Sequence, residues 1–181
     1  MPEPLSRWQE QSLRAVSSAV RADAFWRDYL LDEGVSISGE SAPIAVHLAV
    51  FNQPYLDFLL EGRKTVESRF SAVRCPPYQR VKGGDVLLLK PAGGPIVGLC
   101  LVQDVWFYTL DRSSWRHVRQ TFARELCAQD PKFWRAREHA QFATLMRVTK
   151  PTTIQAVDCE KRDRRGWVVL REAPSQAALA I

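Results

Sequence analysis

Metal-ligand spacing, nucleotide-binding glycine loops and membrane-length apolar runs are all missing from this chain. Its four cysteines, Cys75, Cys100, Cys127 and Cys159, lie far apart with no C-x-x-C pair. That excludes a zinc ribbon and argues against a disulfide framework. The three histidines, His47, His117 and His139, show no metal spacing with one another or with a cysteine. There is no G-x-G-x-x-G, no P-loop and no serine elbow, so neither a nicotinamide or flavin cofactor nor a serine hydrolase is suggested. No metal and no cofactor are expected. No stretch is long enough to span a bilayer. The opening Met1-Pro2-Glu3-Pro4 lacks the basic-then-apolar pattern of a secretory leader. A cytoplasmic, reducing setting without membrane partners is the expectation.

What is present is ordinary globular composition on a mildly basic chain. Hydrophobic residues at 46% and charged residues at 25% argue against wholesale disorder. A length of 181 residues suits one domain with a core plus an appendage. The net charge of +5 favours an anionic partner, nucleic acid first.

Leu5, Trp8, Ser12, Leu13, Val16, Ala19 and Val20 recur at three- and four-residue spacing, which predicts a helix. Asp23 is placed to cap a second short helix carrying Phe25, Trp26, Tyr29 and Leu30. A Gly/Ser-rich connector ending in Pro43 follows. The division is therefore a helical extension with linker over 1–43, a main domain over 44–173 and a tail over 174–181. In the main domain, 44–50 reads as a strand. Asn52 is expected to cap a short helix with Pro54 in its first turn, and Gly62 to close it. Strands follow at 64–70, 86–89 and 96–107. Helices open at Asp111 or Ser114 and at Asp130-Pro131, and strands at 142–148 and 166–170 end the domain.

The segment Gly62-Arg63-Lys64-Thr65-Val66-Glu67-Ser68-Arg69 carries the chemistry. In an extended strand Thr65, Glu67 and Arg69 share one face. A carboxylate and a guanidinium on a barrel face must pair or line a wet cleft. Strict alternation puts Lys64 on the opposite face unless the chain is still turning there. Basic residues recur at Arg112, Arg116, Arg119, Arg124, Lys132, Arg135 and Arg137, and at Lys161-Arg162-Asp163-Arg164-Arg165. These suit phosphate contacts or a solvated face. Tyr108, in the aromatic run Trp106-Phe107-Tyr108, is a candidate for stacking on a base or for the core.

The G-x-K-x-x-E-x-R pattern formed by Gly62, Lys64, Glu67 and Arg69 resembles the signature of the ASCH family, a branch of the PUA-like barrels. The resemblance covers residues 44 to 170. It implies an α+β fold: a small mixed PUA-like β-barrel with flanking helices, to which this chain adds the N-terminal helical arm. It also implies recognition of RNA or of a modified nucleotide in a basic cleft. The binding candidates are Arg63, Thr65, Arg69, Tyr108, Arg116, Arg162, Arg164 and Arg165.

A second implication is a metal-independent amidohydrolase acting on N4-acetylcytidine-type nucleosides, with Lys64 in the catalytic lysine position. There the chain departs from the pattern. The small enzymes carry Thr where this chain has Glu67, and their catalytic Glu comes from a later segment, with Glu125 the nearest match. Ribonuclease activity, or protein docking through an exposed stripe on the N-terminal helices, completes the alternatives.

Overall fold

The computed structural model describes residues 5–29, 44–161 and 163–173. The expected connector at 34–43, Arg162 and the tail at 174–181 lie outside the described residues.

Ser6 and Gln9 close the first turn of α1 (Arg7–Ala19), the Ser6 N–H donating to Gln9 Oε1 at 2.7 Å. Asp23 caps α2 (Ala24–Arg27) by accepting the Trp26 N–H at 3.0 Å. The arm lies against the main domain. The Trp26 indole donates to Thr152 Oγ1 at 2.7 Å, and the Tyr29 hydroxyl donates to the Gly84 carbonyl at 2.7 Å. Leu13, Val16 and Val20 are buried. The apolar stripe read as a protein-docking surface is therefore largely spent on the chain's own core. A helix with such a moment covers its stripe with whatever apolar surface is nearest, and here that is the sheet.

The main domain runs β1 (Val46–Phe51), α3 (Tyr55–Leu60), β2 (Val66–Ser71), β3 (Val86–Pro91), β4 (Ile96–Thr109), α4 (Arg112–Phe122), α5 (Pro131–Arg135), β5 (Phe142–Val157) and β6 (Trp167–Arg171). The six strands form one mixed sheet in the order β2-β5-β4-β3-β1-β6, curled into a half-barrel. Only the β1–β3 pair is parallel. Register shifts between Ile96 and Gly98, Leu99 and Leu101, and Val102 and Asp104 let the long β4–β5 ribbon coil strongly enough to curl the sheet.

Apolar residues fill both faces of β1 and β3, because each face has a cover. One cluster joins Leu13, Val16 and Trp26 of the arm to Val46, Leu48, Val86 and Leu88. A second fills the concave side with Phe51, Leu56, Leu59, Leu87, Leu89, Met146 and Trp167. A third packs α4 and α5 on the outer face of β2 and β5 through Val118, Phe122, Phe133, Trp134 and Leu145.

One sequence expectation is corrected at α3. Pro54, not Asn52, occupies the N-cap, and no side chain caps the helix. Gln53 braces the first turn instead, its Nε2 donating to Asp57 Oδ1 at 2.9 Å. No helix among the described residues is long and apolar enough to cross a membrane.

Candidate functional site at the sheet seam

The open edges of the curled sheet, β2 and β6, do not pair with each other. A side chain joins them. Arg69, on β2, donates from Nη1 to the Val50 carbonyl of β1 at 2.9 Å and to the Gly166 carbonyl just before β6 at 3.0 Å. Its guanidinium also sits 4.9 Å from the Phe51 ring centroid and 5.3 Å from that of Trp167. Arginine suits this place because its planar fork serves several acceptors while its face packs on rings.

Behind Arg69 lies a buried charge cluster. Glu67 places one carboxylate oxygen 2.8 Å from Lys64 Nζ and the other 2.8 Å from Arg69 Nε. The Arg69 Nε–H is not aligned on that oxygen, so this second contact is an ion pair without a well-formed hydrogen bond. Lys64 is 3% and Glu67 4% exposed, and Lys64 Nζ also donates to the Val66 carbonyl at 2.5 Å.

Lys64 reaches the cluster because the chain is still turning at that residue. Gly62, at φ +74°, ends α3 in the left-handed region, and β2 starts only at Val66. The Lys64 N–H folds back to the Phe58 carbonyl at 2.8 Å. Strand alternation therefore governs Glu67 and Arg69, which lie opposite Met146 and Thr144, but not Lys64. Thr65, expected on the same face as Glu67, is exposed at the strand entrance.

The electrostatics follow from burial and proximity. Burial alone would push the Glu67 carboxyl up, but Lys64 and Arg69 outweigh it and hold the group below the usual carboxylate range. Burial lowers the Lys64 ammonium below its ordinary value, with Glu67 opposing and Arg69 adding to the shift. The neighbour that acts on Lys64 is thus Arg69 and not Arg63. Arg63 is exposed, pairs with Glu61 at 3.3 Å and lies 4.2 Å from the Phe58 ring centroid. Cys100 is buried and its thiol is pushed up, first by burial and then by Glu67.

Arg137, beyond α5, was read from sequence only as one of several basic residues suited to phosphate contacts, and it packs against Phe70 of β2 and Phe133. Its Nη1 donates to the Phe133 carbonyl at 2.7 Å, and its guanidinium lies 3.7 Å from the Phe133 ring centroid. Burial holds it below the ordinary guanidinium value, with Tyr55 and then Glu67 opposing the shift and Arg69 adding to it. No local pattern marks it, because only the packing of α5 against β2 brings it in. Trp167, the first residue of β6, forms part of the wall under Arg69.

The remaining candidates separate from the cluster. Glu125 contributes its backbone carbonyl, which accepts the N–H groups of Thr65 and Val66 at 3.0 and 3.2 Å. Its carboxylate pairs with Arg147 at 3.0 Å. Arg147 lies opposite Val66, on the sheet face away from Glu67, so the structure does not bring the Glu125 carboxylate to Lys64. Tyr108 packs in the outer cluster, 6.0 Å from the His117 ring, and Arg116 projects from α4 on that same side. Arg164 and Arg165 are exposed on the loop leading to Gly166, the residue that accepts Arg69. Asp163 ties that loop together, bridging Lys161 at 2.8 Å and Arg165 at 3.0 Å. Those two cations hold the Asp163 carboxyl far below its ordinary range, Arg165 first. Among the described residues, no three His, Cys, Asp or Glu side chains gather as a metal site would require.

The family model for the ASCH domain matches residues 50–149. A crystal structure of ASCH from Zymomonas mobilis shares the fold, with a TM-score of 0.56 at 13% identity over 70% of this chain and 87% of that one. A Tyr-to-Phe variant of that protein gives 0.55 at 14% identity, over 75% and 97%. A Ser-to-Ala variant gives 0.53 at 13%, over 75% and 94%. At these identities the likeness concerns the fold. No curated protein matches the chain.

Proposed function

The chain belongs to the ASCH domain family, and from that premise we propose that its seam cleft recognises RNA or a modified nucleotide. The family is known generally as a PUA-like RNA-binding domain. One observation carries the reading to this site. A single carboxylate, Glu67, stands between two cations, Lys64 and Arg69. The surplus of positive charge is set against aromatic rings at Phe51 and Trp167. Such a place attracts a phosphate, or an anionic or polar base edge. The exposed Arg164 and Arg165 supply phosphate contacts at its rim.

Within this reading Lys64 and Glu67 are anchors. Their polar atoms are engaged with each other, with Arg69 and with the Val66 carbonyl. Arg69 and Arg137 are the groups that meet the ligand. Replacing Arg137 with Gln is expected to weaken binding of single-stranded or structured RNA about 10- to 100-fold, the range for losing a charged hydrogen-bond donor. Fluorescence anisotropy across a salt series measures it. Unchanged affinity and an unchanged salt slope would remove Arg137 from the site.

The hydrolase reading keeps one observation in its favour: burial lowers the Lys64 ammonium beside a carboxylate, which is what a lysine base or nucleophile needs. Incubation with N4-acetylcytidine, followed by chromatography, separates the two. No turnover is expected, because Lys64 Nζ is already committed to two oxygens. Deacylation abolished in Lys64→Met would replace recognition with catalysis.

A further inference from the structure

The outer side of the domain carries a second basic surface that the seam cleft does not use. Arg112, Arg116 and Arg119 follow one another at four- and three-residue spacing on α4. The opposite stripe of that helix, Trp115, Val118 and Phe122, turns into the core. Beside the arginines, α4 and α5 leave a groove with two lobes of about 440 and 570 Å³. Arg116, Arg119 and Trp134 line both lobes, and Trp115, Pro131 and Arg135 line the second. Glu138 is the acid on this lining.

None of Arg112, Arg116, Arg119, Arg124, Lys132 or Arg135 forms an ion pair within the described residues. Elsewhere exposed cations divide between paired and unpaired, Arg7, Arg14, Arg21, Arg74, Lys82 and Arg164 being scattered singly without a carboxylate among the described residues. Arg63, Arg80, Arg147 and Arg165 all have carboxylate partners. Uncompensated guanidinium groups over an apolar, tryptophan-containing floor suit a ligand that combines a repeating negative charge with flat rings.

The groove also connects with the cleft. Phe70 of β2, next to Arg69, stacks on Trp115 at 5.3 Å with planes 4° apart. Arg137 lies 5.9 Å from the Phe70 ring centroid while sensing Glu67 and Arg69. The two sites are thus opposite faces of one edge strand, β2, with Arg137 packed against its Phe70.

We propose that the α4–α5 groove is a second contact for single-stranded RNA. Arg116, Arg119 and Arg135 would hold backbone phosphates of a strand whose other part enters the seam cleft. The groove extends the cleft reading but rests on different residues. An acidic polypeptide would satisfy the charge but not the aromatic floor, and it would have no reason to reach the cleft.

The test uses the full chain, wild type and the double variant Arg116→Gln/Arg119→Gln, with labelled oligouridine of about 4 and about 16 nucleotides. Both substitutions lie on exposed helix positions, and an unchanged thermal midpoint checks the fold. The expected result is a weaker complex with the long strand and a salt slope reduced by about 1.4, or about 0.7 for each lost phosphate contact. Binding of the short strand, held in the cleft, stays unchanged. With 4-thiouridine in the long strand, photo-crosslinks fall on the peptides containing Trp115 and Trp134.

Equal affinity and slope for the two proteins on the long strand would overturn the groove and leave the cleft reading standing. Loss of both strands in Arg137→Gln with the groove variant unaffected would do the same. Wild-type protein that binds neither strand would overturn both. Polyglutamate that displaces the long strand as well as unlabelled oligouridine does would reassign the groove to acidic polypeptides.

Discussion

Replacing Glu67 with alanine is expected to destabilise the fold by about 3–5 kcal/mol, the cost of breaking a buried ion pair from one side. Glu67 lies between Lys64 and Arg69, each 2.8 Å from a different carboxylate oxygen. Its removal leaves the Lys64 ammonium, 3% exposed, with only the Val66 carbonyl as a partner. Arg69 suffers less, because Val50 and Gly166 still accept its Nη1. The double variant Lys64→Met/Glu67→Leu should therefore recover most of the loss, since it removes the stranded charge with its partner. Urea unfolding reads both, as a fall in midpoint for the single variant and a return for the double one.

If the double variant is no better than the single one, the loss comes from packing and the ion-pair account is wrong. Acid gives an independent check. A carboxyl held below its ordinary value of 4.5 in the fold contributes stability that is complete above that value and lost as pH falls through the folded one. Wild type should lose stability on acidification below about pH 4 more steeply than Glu67→Gln does.

How much of this was legible in the sequence depended on whether the signal was local. Cap chemistry placed α2, α4 and α5, because Asp23, Asp111 and Asp130 bond N–H groups within a few residues. Apolar runs placed β3 and the first half of β4, which are covered on both faces, whereas β4 from Gln103 onward is half-buried or exposed. The spacing of Glu67 and Arg69 put them on one face, as period-two geometry requires.

What failed or went unread was set by distant contacts. Thr65 follows the alternation in sequence but precedes the paired part of β2. Glu125 lies near Lys64 along the backbone, yet Arg147 on the far strand face takes its carboxylate. Arg116 and Tyr108 look like rim residues on a linear reading, and the curl of β2 puts them on its other side. Arg137 and Trp167 carry no pattern of their own. They meet β2 only because α5 and β6 pack against it, Arg137 on Phe70 and Trp167 beneath Arg69.

The second large effect is expected at Asp85, behind the cleft wall. Asp85 and His47 are fully buried. The carboxylate accepts the Ala45 N–H at 2.9 Å on Oδ1 and the Lys82 N–H at 2.8 Å on Oδ2, with His47 Nε2 3.2 Å from Oδ2. An indole N–H can only donate, so the Trp167 bond to His47 Nδ1 at 3.2 Å makes that nitrogen the acceptor and puts the ring proton on Nε2. The contact with Asp85 is then a donated hydrogen bond within a directional chain, Trp167 to His47 to Asp85.

Asp85→Ala leaves three donors unmet, those of Ala45 and His47 in a dry interior and that of Lys82 nearer the surface, and a loss of about 3–5 kcal/mol in urea unfolding is expected. Asp85→Asn keeps the shape and one acceptor, so its loss should be about 1–3 kcal/mol. Trp167→Phe tests the far end of the chain. It keeps a ring beneath Arg69 but leaves His47 Nδ1 without its donor, so stability falls by about 1–3 kcal/mol while RNA affinity holds. Trp167→Leu removes the ring as well, and affinity should then fall with stability. Equal affinities for the Phe and Leu variants would mean that the ring beneath Arg69 contributes only to the core, and the aromatic support of Arg69 would shrink to Phe51.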